Sequence, residues 1–75
     1  MLIQFTEELG GRLAMMVQNI KAFRENKDTM AKLHRGAKCI IETVYGDMYY
    51  IQDSYEDVLN TLQEVYAQQS KQMDM

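Results

Sequence analysis

The apolar pattern of this chain changes period once, near Gln52, and that change limits the possible folds more than any other feature. From Lys38 to Gln52 the residues are rich in Ile, Val, Thr and Tyr, which suit a pleated surface, and Tyr45-Gly46-Asp47 interrupts them. Gly46 can take the positive φ of a two-residue hairpin turn, so strands are expected over about 38–44 and 47–52. Beyond them Tyr55, Val58, Leu59, Leu62, Val65 and Tyr66 fall at helical spacing, predicting an amphipathic helix over about 54–69. Ser54 with Asp57, or Asp53 with Glu56, can cap its first free N–H groups, and the acidic residues suit the positive end of the helix dipole.

The first third of the chain is less decided. Met1, Ile3 and Phe5 alternate with Leu2, Gln4 and Thr6, a strand pattern over 1–6. Gly10-Gly11 signals a turn, after which Leu13, Met15 and Val17 share a face of a strand over 12–17. Leu13, Met16, Val17, Ile20 and Phe23 also match a helix; the strand reading is preferred, with a break at Gln18-Asn19 and a further strand over 20–25. Residues 26–37 read as a polar, basic loop in which Met30-Ala31-Lys32-Leu33 could form a helical turn, capped by Asp28 or Thr29 and stopped at Gly36. The expected fold class is therefore α+β: a small antiparallel β-meander of about five strands, followed by a C-terminal amphipathic helix packed on one sheet face.

A chain of 75 residues forms one domain and removes only about 60% of its unfolded surface from water. Its 47% hydrophobic and 25% charged content is ordinary for a globular protein. The lone cysteine, Cys39, excludes an internal disulfide, and no cysteine-histidine set suggests zinc. No cofactor is expected. Neither a signal peptide nor a membrane span is legible, so a cytoplasmic location is the expectation.

Alternation sets Cys39, Ile41, Thr43, Tyr49 and Ile51 toward the helix and leaves Ile40, Val44, Met48 and Tyr50 facing away. That second face is more apolar than a wet sheet face should be, which points to self-association or a protein partner through it. Charge is also unevenly placed. Six of the eight basic residues lie between positions 21 and 38, a segment of net charge +4, while the rest of the chain carries −7. Lys32, His34, Arg35 and Lys38 are thus candidates for an anion site holding a phosphate-bearing small molecule such as a nucleotide signal. Alternatively, the basic loop of one subunit meets the acidic Asp53–Asp57 region of a neighbour. The acidic pI of about 4.9 argues against nucleic acid. Catalysis finds no support, because His34 has no partner at an evident spacing and Cys39 alternates onto the core face.

The run CIIETVYGDMYYIQDSYEDVLNTL, with Gln18-Asn19-Ile20 before a short strand, resembles the small flagellar and swarming-motility proteins of the SwrD/FlbD type. The positions carrying the resemblance are Gly46, Ile51, Ser54, Glu56, Asp57 and Val58, a strand, glycine turn, strand and acidic helix start. It implies that architecture and, as a function, a motility accessory protein acting through protein contacts. The residues themselves favour a non-enzymatic, homo-oligomeric binding protein that blocks or sequesters a host protein or phosphate-bearing ligand, as a phage-type regulator or inhibitor would.

Overall fold

Backbone pairing in the computed structural model, which describes residues 1–27 and 34–73 with side chains through residue 68, starts with a tight hairpin. Strand β1 (Leu2–Thr6) pairs antiparallel with β2 (Arg12–Met16), from Leu2 opposite Met16 to Thr6 opposite Arg12. Gly10 closes the turn at φ +96°, a conformation that costs glycine nothing, and its N–H donates to the Glu7 carbonyl at 2.9 Å. Alternation buries Ile3, Phe5 and Met15 on one face. The ambiguous stretch after Leu13 is thus strand, ended by a 3₁₀ turn at Val17–Asn19 and followed by β3 (Ile20–Glu25).

The second sheet has the order β3-β4-β5, with β4 (Cys39–Thr43) in the centre and β5 (Met48–Ile51) at one side. All its pairings are antiparallel. The β4–β5 connection is longer than the expected two-residue turn. Gly46 N–H donates to the Thr43 carbonyl at 3.0 Å and Thr43 N–H to the Asp47 carbonyl at 2.9 Å, so Val44-Tyr45-Gly46 form a three-residue loop with Gly46 at φ +91°. The Thr43 hydroxyl accepts from the N–H groups of Tyr45 and Asp47, which explains why this threonine is buried without penalty.

The five strands are therefore divided between two sheets, which are stitched at both ends. At one end Glu7 bridges Ile51, Glu8 N–H donates to the Tyr50 carbonyl and Gln52 N–H to the Thr6 carbonyl. At the other, Val17 N–H donates to the Met1 carbonyl and Val44 N–H to the Asn19 carbonyl. Helix α1 (Tyr55–Met73) shares one core with both sheets. Ser54 is its cap, accepting from Asp57 N–H at 3.1 Å, whereas Asp53 serves elsewhere, its Oδ1 accepting from Thr6 N–H at 2.8 Å.

Val58, Leu62 and Val65 bury one stripe of α1 against Ile3, Phe5, Met15, Val17, Cys39, Ile41 and Ile51. Ile41, Ile51 and Val58 are fully removed from water, worth roughly 1.5–3 kcal/mol each. The result is a small α+β domain, and among the described residues no helix is long and apolar enough to cross a membrane.

Candidate functional site

Three surfaces carry the residues singled out above. The first is the end of the basic loop. Lys32, with the helical turn expected around it and its caps, lies outside the described residues. His34 does not stand free beside Arg35 and Lys38. Its backbone is left-handed at φ +63°, its ring stacks on Tyr50 with centroids 3.6 Å apart and planes 4° apart, and its Nδ1 lies 2.6 Å from Glu8 Oε1. Asn26 Nδ2 donates to the carbonyls of His34 and Ala37, and Lys38 N–H to that of Ile51.

This docked segment turns the imidazole toward a carboxylate, and a carboxylate repels the phosphate that an anion site would hold. Arg35 and Lys38 remain exposed. Beside Lys38 a cavity of about 330 Å³ lies between the loop and the start of α1, but Glu25 and Glu56 line it together with Asn26, Ser54 and Tyr55. Among the described residues, His34, Arg35 and Lys38 are not gathered into one cationic pocket.

The outer face of the second sheet is the next surface. Register places Ala22, Glu42 and Met48 in one cross-strand row and Arg24, Ile40 and Tyr50 in the next. Arg24 Nη2 lies 3.2 Å from Glu42 Oε1, with Lys21 Nζ 3.5 Å from Glu42 Oε2. An ion pair therefore runs through the apolar residues. Of the four candidate interface residues, Tyr50 is covered on one face by His34, Val44 sits in the hairpin loop, Ile40 is half-buried and Met48 is exposed beside Arg24.

The third surface is a groove of about 560 Å³ between β3 and α1, with walls formed by Ile20, Phe23, Tyr55, Leu59, Leu62 and Tyr66. Phe23 and Tyr55 meet at its floor with ring centroids 5.2 Å apart, tilted by 36°. Lys21 and Gln63 also line it. The sequence held its signal without disclosing its place: the apolar face of α1 is too wide for a single seam. Val58, Leu62 and Val65 fill the seam, and Tyr55, Leu59 and Tyr66 form a second stripe beside it.

Groups with chemical potential are engaged in holding the fold. Burial pushes the Cys39 thiol pKa above its ordinary value of 9.0, reinforced by the negative charges of Asp53 and Glu25 against partial offset from backbone hydrogen bonds, so the thiol resists ionising to a nucleophile. Ser54 caps the helix and Asp53 ties β1 to its start. No protein-family model matches the chain, and no curated protein or solved structure matches it either.

Proposed function

We propose that this chain is a small non-enzymatic binding protein that self-associates and acts by occupying or occluding a protein partner. The observation that supports this reading is the groove between β3 and α1, an apolar concavity walled by Phe23, Tyr55, Leu59 and Tyr66 in a domain whose core is already filled by other residues. Aromatic and aliphatic side chains that converge on an open concavity are the composition of contact surfaces. Chemistry is disfavoured because His34, Cys39, Asp53 and Ser54 are each held in a structural contact.

Sequestration of a phosphate-bearing small molecule has weaker support, since Glu8 faces His34 and two carboxylates line the cavity beside Lys38. A motility accessory role would act through the same kind of contact. Gly46, Ile51, Ser54 and Val58, which carry that resemblance, act here as turn, core, cap and core, so they speak for the layout of the chain and not for a particular partner.

The test compares two double variants, Leu59→Glu with Tyr66→Glu in the groove and Arg35→Glu with Lys38→Glu in the basic segment. The groove variant loses association, seen as a smaller mass by light scattering, and the basic variant keeps it. The wild type shows no rise in melting temperature with a broad nucleotide panel. A nucleotide-induced rise that disappears in the basic variant would overturn the reading in favour of anion binding.

A further inference from the structure

Pairing with β4 determines where the backbone of β3 points. Asn26 N–H donates to the Lys38 carbonyl at 3.0 Å, and in an antiparallel pair such bonded positions alternate with ones whose N–H and C=O point the other way. Arg24 and Asn26 therefore bond toward β4, whereas Phe23 and Glu25 direct their backbone groups to the open side of the strand. Among the described residues no strand lies on that side and no backbone group bonds them. The register shift between Ile20 and Ala22 puts Lys21 on the outer face, against Glu42, and ends this regular edge. The pairable stretch is thus short and centred on Phe23 and Glu25.

The side chains of these same residues face the helix, and each meets a different environment there. Phe23 enters the apolar groove with Tyr55, Leu59 and Tyr66. Glu25 lines the smaller cavity with Glu56 at the start of α1, and Tyr55 borders both cavities, so the two follow one another along the strand. Both carboxylates are exposed, and among the described residues neither is in an ion pair. Lys38 is the one cation lining that cavity. One seam therefore runs from an apolar end at Phe23 to a net negative end at Glu25.

We propose that this seam binds an extended segment of a partner protein, which adds to β3 as an antiparallel strand and carries a basic residue two positions before a large apolar one. This rests on the partner occlusion proposed above and gives that partner a chemistry. Residues directly opposite in such a pair share a face, so the apolar one lies against Phe23 beneath Leu59 and Tyr66, and the basic one lies beside Glu25 and Glu56. Both exchange backbone bonds with the residue they oppose. The residue between them points outward beside Arg24, and its N–H faces away from β3. Backbone pairing supplies affinity, and the alternate side chains supply selectivity. A copy of β3 does not fit the pattern, because the basic residue two positions before its Phe23 is Lys21, which lies on the outer face.

The test uses the full chain and a blocked, dye-labelled polythreonine peptide whose central residues are lysine, threonine and leucine, with binding read by fluorescence anisotropy. Methylating the leucine amide nitrogen removes a bond to the Phe23 carbonyl and weakens binding by roughly tenfold or more, whereas methylating the central threonine, whose N–H faces away, leaves it unchanged. Glu25→Lys weakens binding by roughly two- to fivefold, and a peptide with glutamate in place of the lysine recovers the loss. Hydrogen exchange at the Phe23 and Glu25 amides slows when the peptide binds. Absence of binding, equal binding of the leucine-threonine-lysine order, indifference to leucine methylation, or unprotected amides in the complex each overturn the strand addition. Light scattering reads self-association separately: a doubled mass without peptide binding overturns this inference alone, and a single-chain mass with the peptide bound supports it while removing self-association.

Discussion

The imidazole of His34 lies flat on the ring of Tyr50, 3.6 Å away and 4° from parallel, and so fixes the end of the long β3–β4 connection on the strand that the helix follows. Glu8 holds the other side of this junction, its side chain on His34 Nδ1 and its N–H on the Tyr50 carbonyl. A double-mutant cycle using His34→Asn and Tyr50→Leu should give a coupling of about 0.5–1.5 kcal/mol, the range for stacked aromatic pairs. Asparagine tolerates the left-handed backbone at φ +63°, so the cycle reads the stack and not backbone strain. Coupling below a few tenths of a kcal/mol in urea titrations would mean that the stack adds nothing.

Asp53 and Ser54 sit side by side and do different work. The Thr6 N–H bonded to Asp53 Oδ1 belongs to a strand 47 positions away, so Asp53→Ala releases a tie between the first hairpin and the helix start. Its loss should cost about 1–3 kcal/mol, against about 1 kcal/mol for removing the cap in Ser54→Ala. Urea midpoints with unchanged m-values are the measurement, and equal shifts for the two variants would contradict the division of roles.

Much of this layout could be read from the residues. Agreement between alternation, Gly46 and helical spacing located β4, β5 and α1, because each signal there is local. Local signals also named both capping candidates, yet which of them caps depended on where Thr6 arrives, a matter of tertiary structure. His34 read as a loop histidine for the same reason: Glu8 is 26 positions away, beyond any pattern in sequence. Outward alternation of Ile40, Met48 and Tyr50 was legible, but the Arg24–Glu42 pair that divides their face depended on the register of β3. The groove needed both Phe23 and the second stripe of α1, so it too became visible only once β3 was placed beside the helix.

Gly46 has φ +91°, and a Cβ added there would meet no atom within 4 Å. Steric collision is therefore absent and the effect of substitution is one of backbone conformation alone. Gly46→Ala should destabilise by about 1 kcal/mol or more, and Gly46→Asn by less, since asparagine enters the left-handed region more readily. Thermal melts of the two variants test this, and an alanine variant as stable as wild type would show that the loop can adopt another turn.

Cys39 is fully buried at the start of β4, and removal from water raises its thiol pKa above the ordinary 9.0. In the unfolded chain the thiol ionises first as the pH rises, so the folded state holds its proton more tightly. This contribution to stability is whole below the unfolded thiol pKa and is lost as the pH climbs from there through the higher folded value. Cys39→Ala should therefore lose less stability than wild type between about pH 8 and pH 10, around the ordinary thiol range, although it begins from a lower value because the cavity it leaves removes packing. The native thiol should also react slowly with an aromatic disulfide reagent until denaturant is added. Parallel alkaline stability profiles for the two proteins, or rapid labelling of the folded chain, would show instead that Cys39 reaches solvent by local opening and that the β3–β4 end of the sheet is its least stable part.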